Sequence, residues 1–336
     1  MLSVIIPTYQ RPHAARRLVS ELLAQRDMPS FEIIVVSNLA DEGLRRVIEA
    51  ASATRPDVPV HYRTVGIVGA NRARNAGMAQ ARGDLWLLLD DDCSLGDPGY
   101  LARVVRLHTR DFPGAAAIGG PYLLPTASSF MSRVYHALSL HWYLGGVSQA
   151  QSSRLLGGCV SYKKDMIGRR RFDERIAFGA SEVEFHFRLD ESGLSLVGDP
   201  RHAVFHTPLL TLGAFLRKRF LQGRATVVYL APYRRPTDST LSFADVLDWF
   251  VGRPGRIERV LLRASLVLAD TAFRLGCLSK KGVDGQKIAR LAHGVALLVF
   301  ERIAQVFSRR RREAVGWSAC CRIVHRLASE ERVYAP

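Results

Sequence analysis

Three consecutive carboxylates, Asp90-Asp91-Asp92, end the apolar run Leu85-Trp86-Leu87-Leu88-Leu89. Oxygen ligands of this kind suit a hard divalent ion such as Mg²⁺ or Mn²⁺, which usually also engages substrate phosphates. In an extended backbone, residues two apart point the same way. Asp90 and Asp92 could then share one cation while Asp91 faces elsewhere. Aspartates also open and close turns, so the run taken alone also fits a solvated acidic loop. His206, in Val204-Phe205-His206 before Pro208, is expected at an exposed strand end. A metal ligand, a phosphate contact and an ordinary surface histidine all fit there, and nearby His202 is a weaker candidate. Arg11 follows Pro7-Thr8-Tyr9, and Arg217, Arg219 and Arg224 lie further on. Guanidinium forks match phosphate oxygens, although lipid headgroups would serve the last three equally. Cys159 has no histidine close in sequence to activate it as a nucleophile.

These groups need a scaffold. Five apolar residues in a row read as a parallel strand buried on both faces. Three charges cannot be buried unpaired at its end. They must therefore lie at the open carboxyl end, where ligands bind in open α/β sheets. Upstream, residues 2–6 form a strand stopped by Pro7, and 11–25 carry a helical pattern. A second strand, 31–36, ends at Ser37-Asn38, and Asp41 can cap a helix to about residue 51. A short strand at 60–63 precedes a helix over 70–81, broken by Gly77, that leads into the central strand. This alternation predicts right-handed βαβ units and a mostly parallel sheet with flanking helices, an α/β fold. Beyond Asp92 the pattern predicts a helix from Pro98 to about 109, then strands at 115–120, 155–161 and 195–197. A helix is expected over 182–189. Residues 126–155, rich in Ser, Tyr and His, read as a flap or substrate wall.

From residue 210 onward no βαβ unit is seen. Helices are expected over 211–230, 257–275 and 288–307, the last followed by Arg309-Arg310-Arg311-Arg312. The expected division is a domain over 1–230 and a helical, basic C-terminal region over 231–336. Amphipathic helices beside arginine clusters fit an anionic membrane surface. They also fit packing on the domain or on a second copy, as in a homodimer.

The 336 residues carry a formal charge of +16, which draws polyanions: phosphorylated substrates, anionic lipid or nucleic acid. Nucleic acid is disfavoured, because no helix-turn-helix or RNA-module signature appears and aromatics do not interleave with the basic clusters. A hydrophobic content of 48% is ordinary for a folded protein. Five cysteines without zinc-like spacing suggest a reduced, cytoplasmic setting. The expectation is a cytoplasmic protein, peripheral on the inner face of the membrane. No signal peptide is read at the start, and no apolar run reaches the ~18 residues of a membrane span.

Ser3-Val4-Ile5-Ile6-Pro7-Thr8-Tyr9, Asn71-Arg72-Ala73-Arg74-Asn75-Ala76-Gly77, the run Gly83 to Asp92, and Phe172-Asp173-Glu174 followed by Glu182-Val183-Glu184 occur in that order. In this the chain resembles family 2 glycosyltransferases of the GT-A fold, over about residues 1–230. The resemblance implies an inverting, Mn²⁺- or Mg²⁺-assisted transfer of a sugar from a nucleotide-diphosphate sugar to a hydroxyl acceptor. It implies that Pro7, Thr8 and Tyr9 border the nucleotide and that Arg74 holds it or its phosphates. Asp90 and Asp91 belong to the nucleotide-sugar side, and Asp92, the last carboxylate of the DxD motif, is the direct metal ligand. His206 matches a histidine that completes the metal site in some members. Gly157 and Gly158 form the acceptor-side wall, Glu182 takes the place of the general base, and Glu184 matches a second acidic position. The family's second strand usually ends in an aspartate pair that reads base and ribose. Here Ser37-Asn38 stand there, so Asn38 is the nucleotide candidate and the base is not specified.

Chemistry alone adds Arg11 as a phosphate contact and Trp142, with Tyr143, as an acceptor-side sugar platform or a loop anchor. Glu182 and Glu184 on one helix point about 200° apart, so only one faces the site, and Glu184 can pair with Arg188. A basic, membrane-apposed C-terminal part suits a saccharide or lipid-linked cell-envelope acceptor. Two other readings remain at this point. One is a nucleotidyltransferase acting on a sugar phosphate, which would release pyrophosphate. The other is a non-catalytic basic membrane-binding adaptor. A dinucleotide-dependent oxidoreductase is disfavoured, since no G-x-G-x-x-G follows the first strand.

Overall fold

The computed structural model describes residues 1–233 except 28–29, 126–127, 145–146, 149–150, 153, 177 and 209–210, together with 255–280 and parts of 284–299. By internal contacts the chain forms two units, Met1–Ser128 with Ser139–Pro208, and Ser129–Leu138 with the chain from Leu209. Residues 209–230, grouped with the first domain on sequence grounds, fall by contact in the second unit.

The first unit is built on β1 (Leu2–Thr8), β2 (Phe31–Ser37), β3 (Val60–Thr64) and β4 (Leu85–Leu89), linked by helices α1 (Pro12–Leu23), α2 (Glu42–Ser52) and α3 (Ala70–Gln80). β1 pairs in parallel with β2 and β4, and β2 with β3. Alternation along these strands divides the core in two. Leu2, Val4, Ile6, Ile33, Val35, Leu87 and Leu89 pack with α1 and α2. Ile5, Ile34, Val36, Trp86 and Leu88 pack on the other face with Ala73 and Met78 of α3. Burial of each such side chain stabilises by about 1.5–3 kcal/mol, and burial on both faces explains why these strands read as continuous apolar runs.

Gly77 does not break α3. It lies where the helix crosses β1, and a methyl group there would overlap Ile5 Cγ2. The requirement is close approach, not a turn. Pro12 starts α1 at a position that needs no amide donor, and Asp41 caps α2 by accepting from the Leu44 amide at 2.8 Å. Ser3 and Glu32 are buried polar groups with a positional role. Ser3 donates to Glu32 at 2.6 Å, and the two accept from the Gly83 and Arg82 amides, which fixes the entry into β4.

After β4 come β5 (Cys93–Ser94), α4 (Tyr100–Arg106) with a π-helical turn at Leu107–Asp111, β6 (Ala117–Gly119), β7 (Tyr122–Leu123) and α5 (Phe130–Leu144). A two-stranded hairpin, β8 (Val147–Ser148) and β9 (Gln151–Ser152), leads to β10 (Cys159–Lys163) and α6 (Lys164–Ile167). Next are α7 (Ser181–Glu191), β11 (Leu196–Gly198) and β12 (Val204–His206). The full sheet has seven strands in the order β11-β6-β10-β4-β1-β2-β3. It is mostly parallel, but β10 runs antiparallel to both β4 and β6. A small second sheet, β5-β12-β7, stands beside the end of β4. The segment read as a flap contains the 15-residue helix α5.

The second unit packs α8 (Leu212–Ala225) against α9 (Arg256–Lys280) and the start of α5 around Val134, Leu138, Phe215, Leu262 and Leu266. Gly223 and Gly276 mark the crossing of α8 and α9. A methyl on either would overlap a carbonyl oxygen of the facing helix, Phe273 or Phe220. No helix among the described residues is long and apolar enough to cross a membrane. The helix expected over 288–307 lies only partly within the described residues, and Arg309-Arg310-Arg311-Arg312 lie outside them.

Candidate active site

The chain leaves β4 in a turn, closed by the Cys93 amide donating to the Asp90 carbonyl at 3.0 Å. The extended backbone assumed for Asp90 and Asp92 therefore stops at Asp90, and the three carboxylates diverge to three sets of partners.

Asp90 accepts from Arg74 Nη2 at 3.1 Å, and its amide donates to the Gly158 carbonyl at 3.3 Å. Asp91 is only 4% exposed and turns toward β1. Its carboxylate accepts from the Thr8 hydroxyl at 2.7 Å and from Arg11 Nη1 at 3.1 Å. Burial pushes this carboxyl up to about 6, against Thr8 and Arg11, which favour the charged form. Asp92 accepts from the same Arg11 nitrogen at 2.8 Å, and its other oxygen lies 3.3 Å from His206 Nε2. Burial alone would lower the Arg11 pKa, but Asp91 and Asp92 outweigh it and raise it.

The small sheet brings in His206. β12 pairs with β5, placing His206 opposite Cys93, and the imidazole stacks on Tyr122 of β7 at 4.2 Å between ring centres. The Tyr122 hydroxyl accepts from the Gly158 amide at 3.2 Å. His202 is elsewhere. It is fully buried, its Nε2 lies 2.9 Å from Ser161 Oγ, and burial pushes its pKa down to about 4, so it is a neutral core group.

Arg74 is buried under the site. Its guanidinium also donates to Asn71 at 3.4 Å and to Ser181 at 3.2 Å, and lies 5.5 Å from the Phe172 ring. Burial opposes its charge, but Asp90 first and Glu182 second raise its pKa. Asn71 and Asn75 of α3 also hold the loop before α7, through the Asp173 and Phe172 carbonyls at 2.7 and 2.9 Å. Residues 71, 74 and 75 share one helix face by their spacing. That signal was present in the sequence, although only Arg74 was singled out.

Glu182 lies in the first turn of α7, directly after two left-handed residues, Gly179 (φ 71°) and Ala180 (φ 54°). Ala180 pays a Cβ penalty in that conformation, and the sharp reversal aims the start of α7 at the glycine pair. A methyl group on Gly157 would lie 2.8 Å from Glu182 Cβ. One on Gly158 would overlap the Asp90 carboxylate and come within 2.7 Å of the Tyr122 hydroxyl. The two glycines thus let backbone approach both carboxylates. Among the described residues, no hydrogen bond or ion pair engages the Glu182 carboxylate. Glu184 is 7% exposed, and both its oxygens accept from Arg188 at 3.0 Å.

The remaining candidates lie around this centre. Pro7 is buried in β1, and Tyr9, 40% exposed, follows the strand. Asn38 is buried, and its side-chain amide donates to the Ile67 and Gly69 carbonyls at 3.1 and 2.9 Å, tying down the loop before α3. Leu39, Ile67 and Val68 are exposed on the loops after β2 and β3. These residues carried no motif and were not singled out. Trp142 is on α5, partly buried against the core, with the Arg154 guanidinium 5.9 Å from its ring.

Among the described residues, no three His, Cys, Asp or Glu side chains converge at metal-binding distance. A carboxylate and an imidazole do converge, Asp92 with His206. Two protein ligands fit a Mn²⁺ or Mg²⁺ ion that takes its other ligands from water and a phosphorylated substrate.

The family described as Glycosyl transferase family 2 matches residues 3–176. The O-antigen biosynthesis protein RfbC of Myxococcus xanthus is 27% identical over 227 residues, which cover 61% of this chain and 17% of that protein. The hyaluronan synthase of Pasteurella multocida is 25% identical over 223 residues, 57% of this chain and 23% of that one. This chain therefore spans about a fifth of the length of each. In fold it is similar to the mannosyltransferase PcManGT from Pyrobaculum calidifontis, solved with GDP-Man and Mn²⁺. The TM-score is 0.54 at 17% identity, over 97% of this chain and 85% of that one. It is also similar to S. aureus TarS 1–349 in complex with UDP, with a TM-score of 0.50 at 14% identity over 94% of both chains. The architecture is of the GT-A type, and the family match covers just over half of the sequence. The chain belongs to glycosyl transferase family 2.

Proposed function

We propose that this chain transfers a sugar, with inversion, from a nucleotide-diphosphate sugar to a hydroxyl of a saccharide or lipid-linked cell-envelope acceptor. One observation carries the reading. The Gly157-Gly158 pair lies between Glu182, whose carboxylate makes no hydrogen bond among the described residues, and Asp90, which is bound to a buried arginine. That arrangement provides a base on one side of the sugar and a donor-binding carboxylate on the other. Glu182 takes the proton of the acceptor hydroxyl as its oxygen attacks the anomeric carbon. The bond from that carbon to the diphosphate breaks, and the electron pair leaves with the nucleoside diphosphate. Attack opposite the leaving group inverts the anomeric configuration.

Thr8, Tyr9, Asn38 and the loop at 67–69 border the nucleotide at the carboxyl ends of β1 to β3. Arg74 positions Asp90 from below. Asp92 and His206 would hold the divalent cation, which when bound neutralises charge on the leaving diphosphate. The acceptor class is supported by two relatives, an O-antigen biosynthesis protein and a hyaluronan synthase. An anionic membrane surface as partner is supported by α9, whose exposed positions Arg259, Arg263, Val267 and Arg274 fall on one helical face.

The test is product analysis across UDP-, GDP- and TDP-sugars with Mn²⁺ or Mg²⁺. Nucleoside diphosphate should be released, and Glu182→Gln should lower turnover about 10²–10⁴-fold while nucleotide binding persists. Asp92→Asn should weaken Mn²⁺ binding, and chelation should stop turnover. Release of pyrophosphate, or a fully active Glu182→Gln enzyme, would defeat the reading.

A further inference from the structure

The geometry points to Arg11 as an exchangeable internal counter-ion: we propose that it neutralises Asp91 and Asp92 in the cation-free protein and is displaced when a divalent ion binds. The inference rests on the reading above that Asp92 and His206 hold that ion. One guanidinium nitrogen bridges two carboxylates, at 3.1 Å to Asp91 and 2.8 Å to Asp92. The Asp92 oxygen it engages belongs to the same carboxylate whose other oxygen faces His206 at 3.3 Å. A divalent ion bound by Asp92 would sit about 2 Å from its oxygen, close enough to repel the guanidinium. The two cations therefore compete for one carboxylate.

Arg11 is built to yield. Its side chain is 56% exposed, and it is the N-cap of α1, whose carbonyl accepts from the Ala15 amide at 3.1 Å while its guanidinium makes no capping bond, so the side chain can move without disturbing the helix. Arg74 offers the contrast. Its side chain is 7% exposed and clamped by Asp90, Asn71 and Ser181, so it is a fixed charge. Of the two guanidiniums on the aspartate turn, only Arg11 can swing outward without opening the core. A donor's diphosphate supplies the anion it needs on leaving Asp92. Nucleotide binding and cation binding then favour each other, because each removes the obstacle to the other.

The test measures binding of Mn²⁺ alone, by the paramagnetic signal of the free ion, to the full chain with and without UDP or GDP. Without nucleotide, Arg11→Gln should bind Mn²⁺ about tenfold more tightly than wild type, the scale of one charge-assisted hydrogen bond removed from competition. Arg11→Lys, which keeps a cation, should stay near wild type. The gain in Mn²⁺ affinity on adding nucleotide should shrink in Arg11→Gln. Unchanged or weaker Mn²⁺ binding by Arg11→Gln overturns the proposal. Asp92→Asn separates the two levels: if it binds Mn²⁺ like wild type, the cation site itself is wrong. If it loses Mn²⁺ while Arg11→Gln gains nothing, only the counter-ion role fails.

Discussion

Gly157→Ala and Gly158→Ala change adjacent residues and should damage different constants. A methyl at Gly157 would sit 2.8 Å from Glu182 Cβ and 3.2 and 3.3 Å from Cγ and Cδ. Ordinary carbon contacts begin near about 3.5 Å, so the shortfall at Cβ is roughly 0.7 Å. Cβ is fixed to the backbone of α7, and no side-chain rotation relieves it. The first turn of α7 must move, and a displacement approaching ~1 Å at a reacting group costs on the order of 100-fold in rate. Turnover should fall by that factor with nucleotide affinity unchanged. At Gly158 the methyl collides with the Asp90 carboxylate, which can rotate away, but only by giving up its 3.1 Å bond from Arg74. Losing a charge-assisted bond of about 1.5–3 kcal/mol should weaken nucleotide binding roughly 10- to 150-fold. Calorimetric titration with UDP and GDP reads the first constant, release of nucleoside diphosphate from the sugar donor reads turnover, and circular dichroism verifies that both variants fold. The reasoning is refuted if both substitutions lower both constants alike, or if Gly157→Ala turns over within a factor of two of wild type.

Further tests address charge and packing. Burial raises Asp91 from 3.8 to about 6, so the folded chain holds that proton more tightly than the unfolded chain. Its ionised form therefore lowers stability above about pH 6, and the penalty fades as pH falls toward 4. In metal-free buffer Asp91→Asn should be more stable than wild type at neutral pH by about 2–3 kcal/mol, and the melting gap should close toward pH 4; a gap that widens on acidification contradicts this. Gly223→Ala or Gly276→Ala must push α8 and α9 apart at their crossing, at a cost of about 1–3 kcal/mol. Hydrogen exchange over both helices should accelerate, and unchanged protection would rule the tight crossing out. His206→Ala should weaken Mn²⁺ binding about 10-fold or more and leave metal-free nucleotide binding in place; equal Mn²⁺ affinity would exclude His206 as a ligand.

The fold was legible where one physical signal dominated. Continuous apolar runs identified β1, β2 and β4 because these strands are covered on both faces, and the intervening 3.6-residue patterns identified α1 and α2. Strand direction was not legible for β10. Its apolar run looks like the others, but it enters antiparallel between β4 and β6, and nothing in a strand's own residues encodes direction. Gly77 was misread as a helix breaker for a related reason. Its propensity cost is local, while the requirement it meets is the Ile5 side chain across the sheet. Likewise α8, assigned with the first part of the chain, finds its apolar partner on α9, some thirty residues later.

The motifs named the residues that gather at the end of β4, Thr8, Arg11, Arg74, Asp90, Asp91, Asp92 and His206, but not how they pair. Alternation assigned Asp90 and Asp92 to one cation. The turn at Asp90 instead splits the carboxylates between two arginines, Arg74 for Asp90 and Arg11 for both Asp91 and Asp92. This changes what a donor meets on arrival. Both guanidiniums on the aspartate turn already carry carboxylate partners, so a diphosphate does not enter an open cationic pocket. On the proposed reading its charge would be accommodated by exchange: the exposed Arg11 would leave Asp92, and Asp92 with His206 would hold a divalent ion that offsets the diphosphate charge. Arg74 cannot take part in that exchange, since burial and three further contacts hold it in place. Glu182 shares its field, and among the described residues no hydrogen bond or ion pair engages its carboxylate. On that reading the asymmetry between a fixed and a movable arginine would divide the work: Arg74 would preserve the geometry between donor and base, and Arg11 would let donor charge enter.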